Sequence, residues 1–88
     1  MKTGLDKIAK ERDDHFRKGF DANHDKMNDE GQLAQAVVYS ITLKEEDYPL
    51  GWRIWFMNKM RDKPLVERLA IAGSLCAAEI DRLNLENG

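Results

Sequence analysis

The chain has 88 residues, 42% of them hydrophobic and 34% charged, which allows one domain near the size at which apolar burial only just offsets the entropy of folding. Self-association buries more surface, so an oligomer is expected. Fourteen Lys and Arg against sixteen Asp and Glu leave a net charge of −2, and Cys76 is the only cysteine; the first argues against a general nucleic-acid binder, the second against a disulfide framework or a multi-cysteine metal site.

The first predicted element is a helix from Gly4 to Lys18. Thr3 can cap it, with the Asp6 carboxylate near the free amides of the first turn. Leu5, Ile8, Ala9, Arg12 and Phe16 recur at helical spacing, and Gly19 stands where a left-handed closing residue is wanted. Phe20 to Asp29 is rich in Asp and Asn without apolar periodicity, and reads as a loop. Asn28 or Asp29 then caps a second helix with an expected stripe of Leu33, Ala34, Val37, Val38 and Ile41.

Lys44 to Gly51 holds the acidic run Glu45-Glu46-Asp47, then Tyr48-Pro49 and Gly51, again a loop. Trp52 to Met60 gathers both tryptophans with Ile54, Phe56, Met57 and Met60 and predicts a short helix or loop. In the last helix Asp62 can act as cap, and Pro64 is tolerable in the first turn. Val66, Leu69, Gly73, Cys76, Ile80 and Leu83 alternate three and four apart, the spacing of a helix packed along a seam. Ala70, Ala72, Ser74, Ala77 and Ala78 make its middle small, so that another helix, of this chain or a second subunit, can approach closely. Cys76 inside this stretch reads as a small buried hydrophobe. No apolar run approaches the ~20 residues of a membrane span and the N-terminus shows no signal-peptide core, so a cytoplasmic protein is expected.

Several pieces match in order a family of small phage and prophage proteins: Glu11-Arg12, Gly19, His24-Asp25, Gly31-Gln32-Leu33-Ala34-Gln35-Ala36, Tyr39, the tryptophan segment, and Arg68-Leu69-Ala70-Ile71-Ala72-Gly73-Ser74-Leu75 leading to Ala78-Glu79-Ile80-Asp81-Arg82-Leu83. The chain resembles that family over most of its length. It departs at Lys26, where relatives have a second aspartate, and in a more compact tryptophan-bearing loop. The resemblance implies a setting, accessory genes that act on the infected host cell, and no particular reaction.

Three constellations invite chemistry. Adjacent His24-Asp25 is the pair at the metal core of HD-type phosphohydrolases, but such a site needs further ligands and His15 is the only other histidine; the plainer reading is a pair that braces the loop. Glu11, Asp14 and Glu79 resemble the acidic sets that hold magnesium in helical nucleotide pyrophosphatases, yet Glu45-Glu46 lacks an acidic partner at the right spacing, and ion pairing with Arg12 and Arg82 explains the carboxylates more simply. Arg12 itself falls on the apolar stripe and needs a carboxylate, which Glu79 could supply, either as a structural pair or in a site awaiting a phosphate.

From Trp52 to Lys63, Arg53, Lys59, Arg61 and Lys63 against Asp62 give a local charge of +3 among aromatics, a combination suited to stacking bases and pairing phosphates. Trp55 and Phe56 read as core, and Trp52, beside Gly51, as the surface residue.

The expectation is therefore an all-α fold, a single helical domain over residues 1–88 with three main helices and a short tryptophan-bearing helix or loop, assembled as a homo-oligomer. The expected function is non-enzymatic: a phage accessory protein that binds and sequesters a small anionic, nucleotide-type ligand at a subunit interface through Arg12, His24, Lys26, Trp52 and Arg61. No catalytic residue, metal or cofactor, no membrane and no general nucleic-acid binding are expected. The alternatives are direct inhibition of a host protein and a metal-dependent nucleotide hydrolase using His24, Asp25 and Glu11.

Overall fold

A computed structural model describes residues 2–17 and 31–87, apart from the side chains of residues 15, 16, 86 and 87. These residues form four α-helices and one short 3-10 turn, with no strand among them: α1 (Gly4–Arg17), α2 (Gln32–Thr42), the 3-10 turn (Glu45–Asp47), α3 (Trp55–Arg61) and α4 (Leu65–Asn87). The all-helical expectation holds. The expected loop from Phe20 to Asp29 and the closing role of Gly19 lie outside the described residues.

At the start of α1 a capping box forms. The Thr3 amide donates to Asp6 Oδ2 at 3.0 Å and the Asp6 amide to Thr3 Oγ1 at 3.2 Å, satisfying amides that have no partner within the helix. The start of α2 differs from expectation. Gly31 occupies the N-cap at φ 85°, a left-handed conformation that glycine alone adopts freely, and the expected caps Asn28 and Asp29 lie outside the described residues. At the other end Leu43 is left-handed at φ 57°, and its amide closes the helix on the Tyr39 carbonyl at 2.8 Å. That conformation costs a leucine about 1–2 kcal/mol, offset here by packing of its half-buried side chain against the core.

Asp62 does not start α4 as expected. It ends α3, its amide donating to the Met60 carbonyl, while Pro64 stands just before α4 and its carbonyl accepts from the Glu67 and Arg68 amides. The proline ring thus falls where no amide donor is required.

The longest helix, α4, is the common support, with α1 and α2 both packed against it. The core joins Leu33, Ala36 and Tyr39 of α2 to Phe56 and Met60 of α3 and Ile71, Leu75 and Ala78 of α4. Ser40 and Ser74 are fully buried, and each hydroxyl donates back to its own helix, to the Ala36 carbonyl at 2.6 Å and the Ile71 carbonyl at 2.8 Å. Small residues thereby occupy the interior without leaving a hydroxyl donor unsatisfied.

The sequence placed two stripes in the wrong phase. In α2 the buried residues are Leu33, Ala36, Tyr39 and Ser40, while Ala34, Val38 and Ile41 are exposed. In α4 the buried set is Ala70, Ile71, Ala72, Ser74, Leu75, Ala78 and Arg82; of the expected seam, Val66, Leu69, Cys76, Ile80 and Leu83 are turned outward, while Gly73 is at a close helix contact, as expected. Both helices bury the face carrying the small residues, where backbones can come close. In α1, Ile8 and Arg12 face α4 while Leu5 and Ala9 are exposed. Gly73 is the point of closest approach: an added Cβ would lie 2.6 Å from Ile8 Cγ1 and Cδ1.

Candidate functional site

The tryptophan-bearing end is organised by Tyr48. Its hydroxyl donates to the Arg53 carbonyl and accepts the Met57 amide at 3.2 Å. Ile54, at the N-cap of α3, has no side chain for that purpose, so Tyr48 serves as a remote cap for a first-turn amide. Its ring meets Tyr39 edge-on with centroids 4.9 Å apart. Burial, with Tyr48 adding to it, pushes the Tyr39 phenol pKa up, against a downward pull from Arg61 and with a further push from Glu45. The Leu50 amide donates to Gln35 Oε1 at 3.0 Å and ties the loop to α2.

On this support the two tryptophans exchange their expected roles. Trp52 is half-buried, edge-on to Phe56 with centroids 5.1 Å apart, whereas Trp55 is 51% exposed. Phe56 and Met60, one helical turn apart, are the residues α3 buries. Trp55 falls to one side of that line, and Trp52, before the helix begins, folds back over Phe56. Arg53 and Arg61 are exposed beside them.

Arg12 is at the other end of the molecule. Its side chain is largely buried, and Nη2 donates to Asp81 Oδ2 at 2.9 Å, a carboxylate that is half exposed. Glu79, the expected partner, pairs instead with the buried Arg82 one turn along its own helix. The geometry of α1 on α4 explains the difference. Ile8 meets Gly73, and one turn later on α1 the long Arg12 side chain reaches Asp81, two turns beyond Gly73 on α4. Asp81 lies about 24 Å along α4 from Leu65, so within one chain Arg12 does not join Arg61, which precedes α4. Trp52 and Arg61 share the α3 end, and His24 and Lys26 lie outside the described residues.

Of the carboxylates considered for metal chemistry, Asp14 and Glu79 are held in ion pairs. Asp14 pairs with Lys10 at 3.3 Å and Asp13 with Arg17 at 3.0 Å. Glu11 lines a shallow hollow of about 280 Å³ with Lys7, Lys10, Val66, Glu67 and Ala70. Among the described residues no group of three or more His, Cys, Asp or Glu is placed to hold a metal ion, and no helix is long and apolar enough to cross a membrane. The His24-Asp25 pair lies outside the described residues.

The largest unassigned feature is the outward row of α4. Val66, Leu69, Ile80 and Leu83 are 52, 47, 58 and 40% exposed, and Cys76, expected to be buried, is exposed among them. Arg68, which sequence reasoning passed over, is a further organising residue. Its guanidinium donates to the Lys63 carbonyl and to the Ser40 and Ile41 carbonyls at 3.1–3.2 Å, placing a cation at the negative end of α2. Comparison with protein families, with curated proteins and with solved structures finds no match to this chain.

Proposed function

We propose that this chain is a non-enzymatic binding protein that works as a homo-oligomer, in the phage accessory role, host interaction or anti-defence, that its sequence resemblance implies. In this reading it sequesters a small anionic, nucleotide-type ligand at a subunit interface. The observation that carries the reading is the apolar row of α4, the longest apolar period in the chain, which lies outside its own core. Scattered surface hydrophobes are ordinary; several gathered along one helix are a surface for a macromolecular contact.

A shared ligand site is supported by the placement of the cations. Arg12 and Arg61 belong to opposite ends of α4, so a pocket using both takes one from each of two chains. Arg61 and Trp52 supply a charge and an aromatic edge at one end, and Arg12 a guanidinium whose present partner, Asp81, reaches solvent. Calorimetry against cyclic and linear nucleotides tests this. Binding by the intact protein is expected, with Arg61→Ala losing about 1.5–3 kcal/mol, more than tenfold in affinity, and no change in oligomer size. Silence from the whole panel would sink ligand capture.

One observation favours a second reading, direct inhibition of a host protein. Leu50, Ile54 and Trp55 are exposed together around the start of α3, and aromatic anchors carry much of the energy of protein interfaces. Stoichiometric capture of one host protein from lysate, lost in Trp55→Ala, would establish it.

A further inference from the structure

We infer that the outward row of α4 is covered by the same row of a second copy of this chain, packed antiparallel. The inference rests on the homo-oligomer reading above and adds which face pairs and in which direction.

From Leu69 to Ala78 α4 carries no charged residue. One face lies in the core, α1 covers another at Gly73, and Val66, Leu69, Cys76, Ile80 and Leu83 remain outside. A helix that is hydrophobic all round belongs inside a packed assembly. These outward residues carry no charge and span about 26 Å of the helix, with a seven-residue step between Leu69 and Cys76 where α1 covers Gly73. Apolar residues at this spacing on either side of Gly73 suit a partner helix of the same period. The chain itself supplies such a helix, and a two-fold axis makes one row self-complementary.

Charge selects the direction. Residues 61–68, the end of α3 and the start of α4, carry Arg61, Lys63 and Arg68 against Asp62 and Glu67, a sum of +1; residues 79–86 carry Glu79, Asp81 and Glu86 against Arg82, a sum of −2, or −1 with Arg12, which pairs with Asp81. Parallel packing sets like ends together, whereas antiparallel packing sets the positive end of each helix beside the negative end of the other and opposes the helix dipoles. Screening keeps each such contact weak, so charge chooses orientation while the apolar row supplies the adhesion. The same pairing carries Arg61 of one copy toward the end of α4 that holds Arg12 of the other, the juxtaposition that a shared anion site requires.

Light scattering on the full chain, on Ile80→Glu, and disulfide trapping between Leu65→Cys and Leu83→Cys chains, both with Cys76→Ser, tests these points separately. Ile80 is exposed, so the glutamate variant should keep its helical circular dichroism while dimerising roughly tenfold or more weakly, because a charge would be buried unpaired. Mixed disulfides between residues 65 and 83 are expected. A wild-type chain that stays monomeric at high micromolar concentration overturns both this inference and the oligomer reading. An oligomer indifferent to Ile80→Glu overturns the choice of face alone, and disulfides that form only between identical variants overturn the antiparallel arrangement.

Discussion

A methyl group added at Gly73 would enter space held by the branched side chain of Ile8, with two of its carbons at 2.6 Å and a third at 3.2 Å. Two effects of opposite sign compete in Gly73→Ala. Removing glycine from a helix interior gains about 0.5–1 kcal/mol, and overpacking typically costs about 1–3 kcal/mol. The clash should win, giving net destabilisation in urea unfolding, and a larger loss for Gly73→Leu. In an Ile8→Ala background the obstruction is gone, so the same Gly73→Ala change should become stabilising. A Gly73→Ala effect of the same sign in both backgrounds would show that α1 does not press on this position. Tyr48 offers a second test at a single atom. Tyr48→Phe keeps the ring beside Tyr39 but removes the acceptor of the Met57 amide and the donor to the Arg53 carbonyl. The expected cost is about 1–3 kcal/mol, with faster amide exchange in the first turn of α3; unchanged stability would mean that water replaces the hydroxyl without loss.

Helix existence was readable from periodicity, and helix phase was not, for a reason visible in α4. Its sequence contains two apolar faces. The row through Val66, Leu69, Cys76, Ile80 and Leu83 is bulkier and more regular, whereas Ala70, Ser74 and Ala78 are small. Periodicity weighs bulk, but within one chain close approach of backbones decided the packing, and the small face went inside. The same choice in α2 buried Ala36 and Ser40 and left Val38 and Ile41 outside. Contacts between distant elements were further from reach: the Thr3–Asp6 capping box is local and was anticipated, whereas the Tyr48 cap and the Arg12–Asp81 pair depend on how elements dock. Arg68 belongs to that second kind and can be tested as an element-level tie. It joins α2 to the start of α4 through three carbonyls. Arg68→Met should cost about 1.5–3 kcal/mol, and hydrogen exchange should rise first in the last turn of α2. Arg68→Lys should recover little, because an ammonium lacks the planar fork that reaches several acceptors together. Equal stability of the arginine and lysine chains would reduce Arg68 to a general positive charge.

For the whole molecule, size and surface combine into one thermodynamic expectation. The core cluster comprises eight buried residues among those described, while twelve large hydrophobic residues stand exposed. Among the described residues, much of the apolar stabilisation available to the chain is left on the surface, where association can recover it. If a second copy binds the folded chain and not the unfolded one, stability is linked to protein concentration by mass action. Each tenfold rise in concentration contributes about 1.4 kcal/mol per dimer, or about 0.7 kcal/mol per chain. For a domain of this size that corresponds to a Tm higher by about 3–6 °C. Differential scanning calorimetry over a hundredfold concentration range should therefore show a clear rise for the wild-type chain. Ile80→Glu, with the row interrupted, should melt at a Tm nearly independent of concentration and close to that of the dilute wild type. The two variants should converge on dilution, because they share the same monomer core. A wild-type Tm that is flat over the whole range would mean that folding and association are not coupled, and the outward row of α4 would then have no part in holding this protein together.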